Sequence, residues 1–176
     1  MKNWSYTIND EKHPHNGKTL WSGRYCAVAG FVFSFNKKTE ELFILANKRG
    51  IGTPDFQGLW NCPCGFLEAD ESGEQGVARE ICEETGLNVD SSKFSLFGVQ
   101  TDPVKSNKGN VTLRYVAVLD LDNLPELKYE NVNGEENEVE DVKWININDI
   151  YEYEWAFGHD EVINQIKSFL QIKEII

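Results

Sequence analysis

A chain of 176 residues, 40% hydrophobic with ten Phe and five Trp, is long and apolar enough for one folded domain with a buried core, which excludes a disordered segment. Its net charge of −12 repels polyphosphate backbones, so long nucleic acid is excluded and a small, metal-neutralised phosphate compound is favoured. No apolar run approaches the roughly 20 residues of a membrane span, so no membrane partner is expected.

Residues 1–22 are polar, with Trp4 and Trp21 as isolated apolar anchors, and read as a loosely structured lead-in or an extra edge element. The opening MKNWSYTINDEKHPH lacks a basic end followed by an apolar stretch, so secretion is not expected. Arg24 to Phe35 is a β-rich apolar run, and the turn Asn36–Glu40 leads into a second strand, Leu42 to Lys48. Gly50 to Leu59 reads as a loop, and Trp60 to Gly65 leads toward a helix over about 74–86 that stops at Gly86. Phe94 to Gln100 and Val111 to Leu121 are further strands, joined by the polar loop Thr101 to Asn110. After an acidic connection over 122–138, Val139 to Ile147 alternates as a half-buried strand. A short helix, Asp149 to Tyr153, and a last helix, about His159 to Ile172, complete the chain. Phe157, Val162, Ile166, Phe169 and Leu170 are expected in the core. One mixed sheet with helices on both faces, an α/β (α+β) arrangement spanning 1–176 as a single domain, follows.

Cys26, Cys62, Cys64 and Cys82 do not form a disulfide framework. Cys26 lies in an apolar strand and Cys82 in the helix, where buried free thiols are ordinary, and a reducing cytoplasm fits them best. Cys62-x-Cys64 lacks the second pair of ligands that a tetrahedral zinc site needs.

Chemistry concentrates in GFLEADESGEQGVAREICEETGL, residues 65–87. In a helix over 74–86, Glu80, Glu83 and Glu84 stand at i, i+3 and i+4, which puts three carboxylates on one face. Val77, Ala78, Ile81 and Thr85 fall on another arc and can pack inward. Like charges at that spacing repel, and a divalent cation reverses the sign of the interaction. Oxygen-only ligands suit a hard ion, Mg2+ or Mn2+. A solvated acidic face with Arg79 as an incidental partner is the plain alternative.

The order Gly65-x5-Glu71-x7-Arg79-Glu80-Ile81-x-Glu83-Glu84-x-Gly86-Leu87 matches the Nudix box position for position. The chain therefore resembles the Nudix hydrolase superfamily, which implies an αβα sandwich with a strand–loop–helix box. The resemblance implies that Glu80, Glu83 and Glu84 bind the metal, joined by the backbone carbonyl of Cys64, while Arg79 and Glu71 orient the loop and the ligands. Many members have a second glycine where Cys64 stands; a side chain there narrows the loop but leaves the carbonyl available. A nucleophilic water then attacks a diphosphate that links a nucleoside to another moiety, ADP-ribose or a nucleotide sugar being the expected class. The alternatives are a nucleoside triphosphate pyrophosphohydrolase and a nucleotide-sensing domain without turnover. Every box acid is present and no winged-helix-sized addition exists, which favours catalysis over sensing.

A carboxylate outside the helix can serve as general base. The loop GEENEVEDVKW offers Glu135, Glu136, Glu138 and Glu140, and the family's habit of an acid six before a strand Trp selects Glu138 ahead of Trp144. Substrate contacts are sought at Lys105 and Lys108 beyond Thr101-Asp102-Pro103, at Arg114, and at Phe157 and Asp160, where the family contacts the base; His159 and Asp160 also read as helix caps. Pro103 lies sixteen residues past Leu87, a spacing similar to ADP-ribose-type members. Trp60, Phe66 and Tyr115 are candidates for stacking on a base, though strand aromatics are usually core. Dimers are common in the family, so a homodimer is open.

Overall fold

The computed structural model describes residues 5–7, 9, 11–12, 17–21, 23–102, 109–120, 123–129 and 137–172. Strands β1 (Ser5–Thr7) and β2 (Thr19–Trp21) pair antiparallel as a small sheet of their own, so neither of them is an edge of the main one. That main sheet is built on β3 (Cys26–Asn36), which forms an antiparallel hairpin with β4 (Glu41–Arg49). The turn closes because the Asn36 side-chain oxygen accepts from the Lys38 and Thr39 amides, at 2.9 and 3.3 Å, while Glu40 takes φ 56°.

Two short strands, β5 (Trp60–Asn61) and β6 (Cys64–Phe66), pair antiparallel with β4 and β3. The sequence shows neither, since two or three residues carry no periodicity and only long-range pairing defines them. Strands β7 (Ser95–Gln100), β8 (Val111–Asp120) and β9 (Val139–Asn146) fall where the sequence places them. Strand β8 runs parallel to β3, β7 antiparallel to β8 and β9 antiparallel to β4, which makes the seven-stranded sheet mixed.

Both faces of β3 are buried, which is why it reads as an unbroken apolar run rather than an alternation. Val28 and Val32 pack with Leu45, Val77 and Ile81 under helix α1 (Gly73–Thr85). Phe31 and Phe33 pack with Ile44, Ile163 and Ile166 under helix α2 (His159–Ile172) on the opposite side. Each fully buried aliphatic side chain stabilises by roughly 1.5–3 kcal/mol, so the two helices are held by their apolar stripes. Gly30 lets α1 approach: a Cβ there would lie 2.7 Å from both Val77 and Ile81. The result is a sheet between two helices, the αβα sandwich expected from the sequence.

Some expectations fail locally. Phe157 precedes α2 with φ 60° and is half-exposed, and Phe169 is exposed at 42%, with its ring 5.8 Å from that of Phe97; neither is core, whereas Ile163 is. Cys82 is exposed and Cys26 half-buried, because each lies where its element meets solvent; all four thiols are free. The segment Asp149 to Tyr153 makes only one 3-10 turn, Ile150–Glu152. Among the described residues no helix is long and apolar enough to cross a membrane.

Candidate active site

Helix α1 holds its acids in place through well-fixed ends. Ser72 caps its start: the Gln75 amide donates to Ser72 Oγ at 3.3 Å and the Ser72 amide to Gln75 Oε1 at 2.8 Å. Gly86 ends the helix at φ 69° with its N–H on the Cys82 carbonyl. On that frame Arg79 is the hub. Its guanidinium grips Glu71 with two bonds, of 3.1 and 2.8 Å, and reaches Glu80 and Glu83 at 2.9 Å each and the Phe66 carbonyl at 3.0 Å. Glu71 also accepts from the Glu68 amide at 2.9 Å. These bonds, those from Arg79 first, hold its carboxyl below the usual range. Loop and helix are thereby tied through one planar fork.

Glu84 is different. It is 6% exposed and accepts a hydrogen bond from the Cys64 amide at 3.2 Å. Burial pushes its carboxyl well above the usual range, and the charges of Glu80 and Glu138 push it further. Burial likewise raises Glu80 to about 7 against the opposing pull of Arg79. Gly65 is needed here for close approach: a Cβ would stand 2.1 Å from Glu80 Oε1, so the carboxylate lies directly on the backbone of β6. The thiols of Cys62 and Cys64 are pushed up by burial, then by Cys64 and Glu84 in the case of Cys62 and by Glu84 in the case of Cys64.

A β-bulge brings the second wall. Between Lys48 and Arg49 the pairing with β9 skips Glu140, so Lys48 faces Asp141 while Arg49 faces Val139. The Gly50 amide donates to the Glu138 carbonyl at 2.7 Å, and a Cβ on Gly50 would meet the Asn137 carbonyl at 2.1 Å. Glu138 and Arg49 therefore line the same cleft. Glu140 instead pairs with Lys48 at 2.6 Å, and Glu135 and Glu136 lie outside the described residues. Arg49, buried, donates to the Asp55 carboxylate at 2.8 Å and places its guanidinium 5.0 Å from the centre of the Phe157 ring.

The cleft runs from Cys64, Gly65 and Phe66 across the start of β3 to Arg114, Phe157 and His159. Arg114 and Phe157 thus lie where substrate contacts are expected. Asp160 does not line it; as a first-turn residue of α2 it lends its carbonyl to Asn164 at 2.9 Å instead. Pro103, Lys105 and Lys108 lie outside the described residues. Of the three candidate stacking aromatics, Trp60 and Tyr115 are core, and Phe66 lines the cleft with the exposed Tyr25 ring 5.8 Å away. His159 caps nothing with its side chain: it is 4% exposed, and its Nδ1 accepts from the Cys62 amide at 3.0 Å. Burial, then Arg114 and Arg49, lowers it to about 3, so it stays neutral. Arg49 escapes the sequence reading, and His159 appears there only as a cap near the base contacts, because both reach the cleft through contacts distant in the chain.

Among the described residues no group of three or more His, Cys, Asp and Glu side chains is gathered in metal-holding geometry. The helix face does carry Glu80, Glu83 and Glu84, but Arg79 rather than a shared cation is the counter-charge of Glu80 and Glu83. The donor set nonetheless suits a hard divalent ion. Glu84 is buried and Glu80 half-buried, the charges of Glu80 and Glu138 raise the proton affinity of Glu84, and a cation between such all-oxygen groups would remove that conflict.

The NUDIX domain family model matches residues 24–166. An ADP-ribose pyrophosphatase of Methanocaldococcus jannaschii is 34% identical over 138 residues, which are 78% of this chain and 69% of that protein. The NUDIX domain of Shewanella oneidensis NrtR, solved with ADP ribose, superposes with a TM-score of 0.68 at 24% identity over 85% of this chain and 90% of that one, a likeness of fold. A bifunctional NMN adenylyltransferase/ADP ribose pyrophosphatase from Francisella tularensis, solved with AMP and a Mn ion, gives 0.59 at 25% identity; the match covers 86% of this chain but only 42% of that one. The chain belongs to the Nudix hydrolase family.

Proposed function

We propose that this Nudix hydrolase cleaves the diphosphate of a nucleoside diphosphate linked to another moiety, with ADP-ribose or a nucleotide sugar as its substrate class. The observation that carries the reading is a buried carboxylate, Glu84, pushed up by the charge of half-buried Glu80, the two lying against Cys64 and Gly65 at the edge of a cleft whose far side is aromatic and cationic. The relative named ADP-ribose pyrophosphatase supports the substrate class. Glu80, Glu83, Glu84 and the Cys64 carbonyl are the groups that would hold Mg2+ or Mn2+. The bound ion offsets charge on the phosphoryl oxygens and lowers the pKa of its water. Arg79 and Glu71 keep the box loop against the helix, a supporting task whose loss typically costs 10–100-fold.

Glu138 accepts the proton of the attacking water: it lines the cleft, and its charge is felt at Glu84. Phe157 stacks on the base with Arg49 bracing its ring, and Arg114 binds substrate further along the cleft.

The test is a substrate panel with Mg2+, scored for which bond is cut. Nucleoside monophosphate plus a phosphorylated sugar is the expected outcome, and EDTA should abolish it. Release of pyrophosphate from nucleoside triphosphates, with diphosphate sugars spared, would instead establish the sanitising reaction. Binding of ADP-ribose without any turnover in Mg2+ would make the chain a sensor.

A further inference from the structure

The far side of the cleft holds hydrogen-bond donors that nothing among the described residues uses. Arg114, on β8, lines the cleft, and among the described residues it has neither an ion pair nor a hydrogen-bond partner. It is half-buried, and burial lowers its proton affinity with no neighbouring acid to compensate. In a chain of net charge −12, a partly desolvated guanidinium without an acid is unfavourable unless something else supplies the anion. Arg49 is not in that position, since Asp55 satisfies it.

His159 supplies the second donor. Its Nδ1 is occupied by the Cys62 amide at 3.0 Å, so the neutral ring carries its proton on Nε2. Among the described residues Nε2 has no partner, and the ring borders the cleft. The imidazole is held edge-on to Phe31 at 5.2 Å and lies 5.5 Å from Phe157, so it is fixed in place before any ligand arrives. Arg114 and His159 Nε2 both donate and neither accepts. Such a pair matches a group that only accepts, and it leaves the exocyclic amine of a base unsatisfied.

We infer that Arg114 and His159 form an oxyanion subsite for the nucleoside-side phosphate of the substrate, bound by protein donors and not through the cation of the box. The assignment rests on the proposed function in one respect: the base is taken to stack on Phe157, which puts the adjoining phosphate beside His159. Two consequences follow. The nucleoside monophosphate product keeps a hold on the protein after the metal is gone, and this hold depends on the phosphate rather than the base.

The experiment is calorimetric titration of EDTA-dialysed protein with AMP, with adenosine and with inorganic phosphate. AMP is expected to bind at least tenfold more tightly than adenosine. Arg114→Gln should erase that difference while leaving adenosine binding unchanged, and Arg114→Lys should restore part of it. His159 is buried and its replacement can unfold the chain, so its role is read in the intact protein, as a shift of the imidazole Nε2 resonance on addition of AMP. Equal affinities for AMP and adenosine would overturn the subsite, as would a parallel loss of both in Arg114→Gln. Inorganic phosphate binding as tightly as AMP would overturn its assignment to the nucleotide. Cleavage of diphosphates with an unchanged KM in Arg114→Gln sinks the subsite alone. Phosphate-dependent AMP binding in a chain that cleaves no diphosphate sinks the proposed reaction and keeps the subsite.

Discussion

The two walls of the cleft solve opposite electrostatic problems. On the box side, behind the cleft edge made by Cys64 and Gly65, Glu71, Glu80 and Glu83 crowd around a single guanidinium, and Glu84, the most buried acid, is bonded by a backbone amide. On the far side, Arg114 and His159 offer donors without acceptors. Neither wall is arranged for its own stability, since like charges and unmatched donors both oppose folding. Together they are complementary to two opposite charges that neither contains, a divalent cation at the box and a phosphate anion across from it. The difference teaches that the cleft is a pair of half-sites, each completed by the ligand of the other.

Mutation can break this comparison in graded steps. Glu84→Gln removes a proposed ligand carboxylate, worth several kcal/mol of transition-state stabilisation, and should lower kcat about a thousandfold in Mg2+. Its melting temperature should not fall, because the charge removed is an unfavourably buried one; a lower rate with a collapsed melting transition would count against the assignment. Glu138→Gln takes away the proposed proton acceptor and should cost about a hundredfold in kcat, with metal affinity nearly unchanged. Normal rates in both variants would refute the acid wall altogether. Arg79→Lys keeps the charge but not the two-pronged grip on Glu71, and an effect of about 10–100-fold on metal activation is expected. Phe157→Ala acts on the opposite wall. It should raise KM by about tenfold, the loss of one stacked base, while kcat changes little.

The smallest effect is one of stability. Glu80 and Glu84 bind protons more tightly folded than unfolded, so their contribution is full below about pH 4.5 and is lost as pH rises toward and beyond 7. Metal-free protein should therefore melt lower at pH 8 than at pH 5. Mg2+ should restore the loss at pH 8 and do little at pH 5, and Glu84→Gln should flatten the dependence. A melting temperature that rises with pH in EDTA would show that these carboxyls ionise freely.

Much of this was legible in residue order because the chemistry of the box is local. Glu71, Arg79, Glu80, Glu83 and Glu84 lie within one loop and one helix, so spacing alone places them together. The long strands β3, β4, β8 and β9 and the stripe Val162, Ile166, Leu170 were likewise readable, since burial imposes its period on each. What escaped depends on distance along the chain. Strands β5 and β6 exist only as partners of β4 and β3, and Arg49 reaches the cleft through a bulge opposite Glu140. Phe157 and Phe169 show the reverse error. Their apolar character suggested the core, but Phe157 sits in a left-handed turn at the cleft edge, and Phe169 lies on a half-open flank of α2.

The bond from the Cys62 amide to His159 spans 97 residues and carries a further consequence. It fastens the strand segment just ahead of the box to the first residue of the terminal helix. A growing polypeptide can assemble the glutamate-bearing loop early, yet the opposite wall is complete only after translation has passed α2. Competence is therefore acquired only once α2 is made, and a nascent chain stalled before residue 159 should hold the acids of the box opposite a wall that lacks its imidazole.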